Sequence, residues 1–314
     1  MVLLLNDTVS IVLLNYNGEL DTIECLESLK KIDYPSFKIF LVDNKSCDES
    51  VEKIKSFLDY DEFYDYDLVF EDNLSDYTLR KDCNLVFVLN NCNYGFAGGN
   101  NLALKYILDN KLGDYVLLLN NDTIVSRDFL DCLVRTSKNN DDDCFVGITH
   151  YYYDKRESIQ TIGGGLVDMI HGEASAIRDP EYSGNLDFLT GSCILSSLKV
   201  LSEVGLLCED YFMYWEDVDW CTCLREHGYK IRISDGGCIY HKEGSSIKSL
   251  NRIYYHTRNR ILYMSKHTSG LTYHKFMIYI MLYVMKESLN NRKNKEYTKT
   301  LQKGLKDAIK KKIR

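Results

Sequence analysis

The chain has 314 residues, 45% of them hydrophobic and 12% aromatic, which suits one large domain or a domain with an appendage and excludes global disorder. A net charge of -8 argues against a protein built to coat nucleic acid, so no nucleic-acid partner is expected. The eleven cysteines are an odd number with no CxxC pair; they read as small buried hydrophobes in a reducing cytosol, not as a zinc site or a disulfide framework.

The charge is unevenly spread. Residues 251–314 carry roughly 16 Lys/Arg against 3 Asp/Glu, leaving a strongly acidic body and a basic tail. The N-terminus lacks a basic n-region and its apolar run breaks at Asn6-Asp7, so no signal peptide is expected. No stretch reaches the roughly 18–20 apolar residues that a membrane span needs.

Residues 8–14 read as a buried strand that ends in the turn Asn15-Tyr16-Asn17-Gly18. A helix follows, with Leu20, Ile23, Leu26 and Leu29 on its apolar face. Phe37 to Val42 is a second strand ending at Asp43, and Ser46 or Asp48 is placed to cap a helix from Ser50. The acidic, Tyr-rich stretch 59–82 lacks periodicity and reads as a surface insertion. A third strand, Leu85 to Leu89, leads through Asn93 and the glycines Gly95, Gly98 and Gly99 into a helix reaching about Leu108. Tyr115 to Leu119 is a fourth strand, stopped by Asn120-Asn121-Asp122. Strands alternating with helices predict an α/β fold with a mostly parallel sheet. In such sheets ligands bind beyond the carboxyl ends of the strands, where Asn15, Asn17, Asp43, Asn93 and Asp122 converge.

The second half reads differently. Residues 159–190 are expected to be loop-rich; Gly191 to Ser196 is a strand and Lys199–Val204 a short helix. Then Tyr211 to Trp220 runs five large apolar or aromatic residues into three acids. A strand-like approach ending in carboxylates would hold an acid rigidly at the edge of a core, as a general base or metal ligand requires. The alternative is a helix start, with acids complementing the dipole. That helix ends at His227-Gly228, and short strands Tyr229–Ile233 and Cys238–Tyr240 follow, the latter delivering His241.

Residues 254–260 read as helical, and the apolar run 276–285 is too short to span a bilayer. With the basic end it fits a helix lying on an anionic membrane surface. A packed helix pair or a subunit interface is the other reading. The expected division is a body at 1–245 and a basic helical extension at 246–314.

Asp43 sits where a dinucleotide fold keeps its ribose-binding acid, but the turn after the first strand lacks the GxGxxG glycines. An NAD-dependent oxidoreductase is therefore disfavoured. Asp43 is suited instead to accept a hydrogen bond from a nucleobase, or to cap a helix. Asp122 at a strand end suits Mg²⁺ or Mn²⁺ against a diphosphate, or simply a turn; with His241 it makes a mixed N/O set fitting Mn²⁺.

Several segments together resemble a family. They are Val9 to Gly18, Val42 to Ser46, Asn93 to Asn101, Leu118 to Asp122, Gly191-Ser192-Cys193 and Phe212 to Asp219, in the order found in family 2 glycosyltransferases. The rhamnosyltransferase-like branch looks most similar, over about residues 8–245. The resemblance implies a GT-A nucleotide-sugar-binding fold and inverting transfer of a sugar from a nucleotide-diphosphate donor, with dTDP-L-rhamnose leading. The acceptor it implies is a hydroxyl of a glycan or lipid-linked glycan in cell-surface polysaccharide synthesis. Asp217 would be the catalytic base with Glu216 beside it. Asn15, Tyr16, Asn17, Asp43, Asn93, Gly98, Asn101, Asn121 and Trp215 would line the nucleotide sugar. Asp122, His241 and Asn120 would hold a divalent Mg²⁺ or Mn²⁺, although Asn120 stands where the family's metal motif has an acid. The aromatic wall of Phe212, Tyr214 and Trp215 would stack on the sugar. A cytoplasmic protein, peripheral on the inner face of the plasma membrane, is expected. A non-catalytic nucleotide- or glycan-binding relative is the alternative.

Overall fold

The structure is a computed structural model and describes residues 7–242, 250–291 and 293–311. Its first half alternates as predicted: β1 (Val9–Asn15), α1 (Glu19–Leu29), β2 (Phe37–Asp43), α2 (Ser50–Tyr60), β3 (Tyr66–Phe70), β4 (Leu85–Leu89), α3 (Gly95–Asn110) and β5 (Tyr115–Asn120). Then come β6 (Thr123–Val125), α4 (Phe129–Lys138), β7 (Cys144–Gly147), β8 (His150–Tyr152), β9 (Lys155–Thr161), β10 (Gly164–Asp168), β11 (Glu173–Ala176), β12 (Phe188–Leu189) and β13 (Cys193–Ser197). The order finishes with α5 (Leu198–Val204), α6 (Glu216–Glu226), β14 (Lys230–Ile233), β15 (Ile239–His241), α7 (Leu250–His267), α8 (Gly270–Asn290) and α9 (Lys295–Lys310).

Eight strands form the central sheet in the order β14-β7-β13-β5-β1-β2-β4-β3. Within it β13 is antiparallel to both neighbours, and every other pair is parallel. Side chains alternate across the sheet. Ile11, Leu13, Ile39 and Leu41 meet α1, α2 and α4 on one face. Val12, Phe40, Val42 and Val86 meet α3 and α6 on the other. Asn15 pairs with Asp43, and Leu14 with Asn120, so the polar strand ends share one edge.

A four-stranded sheet, β6-β15-β8-β9, and a three-stranded one, β11-β10-β12, flank that edge. Much of the stretch expected to be loop-rich, 159–190, is therefore strand. Its polar residues disguise it because β11 is exposed along its length. The supposed insertion at 59–82 also carries an element, β3, which closes the sheet with Val69 buried; its outer charges suit an edge strand.

Helix α1 buries Cys25, Leu26 and Leu29 but leaves Leu20 74% exposed, so the apolar face begins one turn later than expected. Asp48 accepts the Ser50 N–H at the start of α2, while Ser46 turns back to Asp43. The cysteines are not uniformly buried either: Cys47 and Cys92 are exposed.

The aromatic run before Glu216 is not a strand. A short 3-10 turn at Glu209–Tyr211 leads into Phe212, Tyr214 and Trp215, all with positive φ, and α6 starts directly after. The expected terminus of α6 holds, with His227 as C-cap and Gly228 at φ 84°.

Helices α7, α8 and α9 pack on the α3/α6 side through Ile261 to Met264, Phe276, Ile280 and Ala308. Helix α8 is longer than its apolar run, and it buries Phe276, Ile280 and Val284 on one side. Among the described residues no helix is long and apolar enough to cross a membrane.

Helix α3 opens at Gly95, whose φ is +74° and where a Cβ would lie 2.3 Å from the Phe212 carbonyl oxygen. Gly95→Ala is expected to cost more than the ~1–2 kcal/mol of left-handed backbone alone and to lower Tm by several degrees. Leu20→Ala should stay within about 0.5 kcal/mol. Thermal denaturation of both variants measures the contrast.

Candidate active site

Three strand ends build one rim. Asp43 is buried at the end of β2, and its Oδ2 accepts from Asn15 Nδ2 (2.8 Å) and Ser46 Oγ (2.6 Å) while Oδ1 accepts from Ser46 N (2.9 Å). Asp43 thus closes its own turn and does not cap a helix. Asn15 Oδ1 accepts from Thr22 Oγ1, and Asn121 Nδ2 donates to the same threonine oxygen, each at 2.8 Å. Asn17, at φ 52°, spans to Ser46 and Cys47. Tyr16 stands 47% exposed above this polar floor.

Asp122 lies between β5 and β6. Pairing of Thr123 with His241 across β6 and β15 brings the histidine beside it. His241 Nε2 is 3.3 Å from Asp122 Oδ1, which is buried and receives no hydrogen bond. His241 Nδ1 donates to Gln160 Oε1 at 2.8 Å, which leaves Nε2 as the ring atom that faces the carboxylate, a lone-pair donor in the tautomer protonated at Nδ1 alone. Two acceptors at that separation repel unless a cation or proton lies between them. The donor set, with a hydrogen-bonded partner behind the histidine, fits a divalent metal of mixed N/O preference. The Asn120 side chain, two residues before Asp122, makes no hydrogen bond to the described residues.

The dipeptide Gly191-Ser192 joins this edge to the acids of α6. Ser192 O accepts from Asn120 N (3.0 Å), and Ser192 Oγ lies 2.6 Å from His150 Nε2. His150 is fully buried between β8 and β13, edge-on to His241, and burial lowers its pKa to about 3. It is therefore neutral, with Nδ1 donating to Ile148 O. Gly191 N donates to Asp217 Oδ2 at 2.9 Å.

The three acids of the first turn have separate environments. Asp219 is buried and accepts from Tyr211 OH at 3.0 Å; burial opposes its charge, but His267 and Lys266 bond it at 2.7 and 2.8 Å and hold its carboxyl below the ordinary range. Glu216 is buried with Oε2 unpartnered; desolvation, then the neighbouring Asp217, pushes its pKa well up. Asp217 keeps a partly exposed face, and desolvation raises its carboxyl against the pull of the Gly191 and Val218 amides. A raised carboxylate with an open face is the one of the three suited to receive a proton.

Three residues expected at the donor site are spent inside the protein. Asn101 bonds Leu207 N and O and Glu209, tying α3 to the segment after α5. Gly98 makes room for Tyr94, whose Cβ would be 2.8 Å from an added Cβ, and does not clear space for a ligand. Trp215 is 5% exposed and packs on Tyr263 at 5.1 Å, so its face is closed to a sugar; Phe212 and Tyr214 stack on Tyr255 and His256. Asn93 accepts from Gly95 N and Asn44 Nδ2. Thr22, Gln160 and His150 escaped sequence reasoning, because a lone polar residue in a strand or a helix carries no motif.

The chain matches the model of glycosyl transferase family 2 over residues 10–205. It is 27% identical over 208 residues to a low-salt glycan biosynthesis hexosyltransferase of Haloferax volcanii, covering 62% of this chain and 66% of that one. The chain thus spans about two thirds of the length of this curated relative. Among solved structures it superposes on a mannosyltransferase from Pyrobaculum calidifontis in complex with GDP-Man and Mn²⁺ at a TM-score of 0.57 and 14% identity, covering 98% and 76% of the two chains. GalNAc-T7 with UDP, GalNAc and Mn²⁺ gives 0.62 and 15%, over 97% and 56%. S. aureus TarS 1–349 in complex with UDP-GlcNAc gives 0.52 and 18%, over 96% and 81%. These likenesses establish the GT-A fold, and the family match, reaching from β1 through α5 across the whole strand-end rim, makes this chain a member of glycosyl transferase family 2.

Proposed function

We propose that the protein is an inverting glycosyltransferase in which Asp217 is the base. The observation that carries this reading is the junction at Gly191-Ser192, which bonds Asp217 on one side and Asn120 and His150 on the other. A donor diphosphate near Asn120–Asp122 would leave its anomeric carbon within reach of an acceptor hydroxyl facing Asp217. The Asp217 carboxylate takes the hydroxyl proton as the acceptor oxygen bonds to the anomeric carbon. The bond from that carbon to the diphosphate oxygen breaks, the nucleoside diphosphate departs with the electron pair, and the configuration inverts.

Asp43 and the Asn15–Asn17 turn, with Tyr16 exposed beside them, bind the base and ribose; Asn121 and Asn93 support that floor. Asp122, His241 and Asn120 hold a Mn²⁺ or Mg²⁺, which when bound supplies positive charge against the diphosphate. The Mn²⁺ named for two solved relatives supports the metal. The donor is dTDP-L-rhamnose, on the motif resemblance, and the acceptor is a hydroxyl of a glycan or lipid-linked glycan, in keeping with the glycan pathway of the curated relative. The division at 245/246 lies outside the described residues; the body before it is served by the basic extension whose described part is α7 to α9.

Helix α8 also supports a membrane-surface location. Opposite its buried face it exposes Leu271, Ile278, Met281, Leu282, Met285 and Leu289 as a stripe at i, i+3/i+4 spacing, with Lys275 and Lys286 alongside. A face of that kind suits the anionic inner leaflet, where the acceptor would be anchored.

Thermal shift by dTDP or dTDP-L-rhamnose is expected to grow with Mn²⁺ and to vanish in Asp43→Ala and Asp122→Ala. Gln160→Ala should weaken metal binding by about 10–100-fold. A folded chain unmoved by any nucleotide diphosphate would instead support a non-catalytic relative.

Asp217→Asn should lower transfer by about 10²–10⁴-fold with donor binding intact; lost donor binding would count against the base role. Since burial raises the Asp217 pKa, wild-type kcat/KM should fall as pH drops through a value above the ~3.9 of an exposed aspartate.

Sedimentation with phosphatidylglycerol vesicles should pellet the wild type and not Ile278→Glu/Leu282→Glu, and salt should weaken the binding. Equal binding of the double variant would remove α8 from the membrane.

A further inference from the structure

The turn that leads into Asp217 is strained and is held from outside. Phe212, Tyr214 and Trp215 have φ of 65°, 65° and 78°, in a region that bulky residues avoid. Such a turn persists only where its surroundings over-determine it. Here each of the five successive carbonyls from Asp210 to Tyr214 meets a donor. Phe96 N and Ala97 N, at the start of α3, donate to Phe212 O at 2.6 and 3.3 Å. The other four are met from the C-terminal segment. Arg258 Nη2 donates to Asp210 O (2.9 Å) and Tyr211 O (2.6 Å), and Lys311 Nζ to Asp210 O (3.0 Å). Asn259 Nδ2 reaches Tyr211 O, Met213 O and Tyr214 O at 2.9, 2.8 and 2.7 Å.

Asn259 is fully buried, so no water replaces it. Its amide is oriented by its neighbour: Arg258 Nε donates to Asn259 Oδ1 at 2.8 Å, which turns the NH₂ group to the carbonyls. The Arg258 guanidinium is itself fixed over the Tyr255 ring at 4.9 Å, and Tyr255 stacks on Phe212. Neither residue touches Asp217, and both lie beyond the family match at 10–205.

We propose that Asn259, aligned by Arg258, is a positioning residue for the transfer reaction: by gripping the Tyr211, Met213 and Tyr214 carbonyls it fixes where α6 begins and so where the Asp217 carboxylate meets the acceptor hydroxyl. This rests on the reading of Asp217 as base. Donor binding, built on β1, β2 and β5, does not depend on the grip.

The test uses the full chain with Asn259→Ala, Asn259→Asp and Arg258→Lys. Misplacing a reacting group by about 1 Å costs on the order of 10²-fold, so kcat should fall by about that factor in Asn259→Ala. Donor KM and the nucleotide-induced thermal shift should stay within about twofold, since binding and orientation separate. Asn259→Asp, which sets a carboxylate against three carbonyls, should fall further, and Arg258→Lys, which keeps the charge but loses the Nε–H donor, should lie between wild type and Asn259→Ala. Acrylamide quenching of tryptophan fluorescence should rise in each as Trp215 loosens, and this readout needs no turnover, so it still judges the grip if Asp217 proves not to be the base. Unchanged kcat and quenching in Asn259→Ala would overturn the proposal. So would kcat and donor binding falling together with Tm. If Asn259→Ala does not fold, Arg258→Lys is judged by the same criteria.

Discussion

The register of β1 between β2 and β5 is the constraint on which the site depends. Parallel pairing sets Asn15 against Asp43 and Leu14 against Asn120, so three polar strand ends finish level. Slipping one strand by a single residue would turn its apolar side chains to the wrong face and disperse the rim. The apolar runs that bury both faces therefore also align the chemistry. Stability and site geometry are the same interaction seen from two ends of the strand.

The acids of α6 illustrate how environment divides labour within one helical turn. Asp219 is given a lysine, a histidine ring and a tyrosine hydroxyl, so its charge is held in place. Glu216 is given nothing and is driven toward its neutral form. Asp217 has one external amide donor and an open side. Adjacent residues of the same chemical type thus differ because successive helical positions point about 100° apart, into different layers of the fold.

Much of this was legible in the sequence, and the reasons are local. The buried parallel strands are continuous apolar runs closed by Asn or Asp, a pattern that survives any tertiary context. The convergence of the polar strand ends Asn15, Asp43 and Asn120 on one edge was legible for the same reason. What was not legible depends on distant partners. Aromatic residues at 211–215 favour strand by propensity, yet they form a left-handed turn because donors more than forty residues downstream compensate its carbonyls. Trp215 looked like a sugar platform, and only the position of Tyr263 reveals it as core. Gly98 and Asn101 belong to a motif that suggested ligand contact, but their partners are Tyr94 and Leu207. Strands such as β11 and β3 were missed since exposed or edge strands need no apolar alternation.

The grip on the 210–214 carbonyls has a consequence in time. Synthesis proceeds from the N-terminus, and β1 to β5 can pair before the later helices exist. The turn before Asp217 then waits for Arg258 and Asn259, and the second donor to its first carbonyl, Lys311, comes 101 residues after Asp210. A nascent chain would thus assemble its strand-end rim early and its acid turn last. Order of emergence from the ribosome would leave a half-made molecule with a finished sheet edge and an unset turn before Asp217.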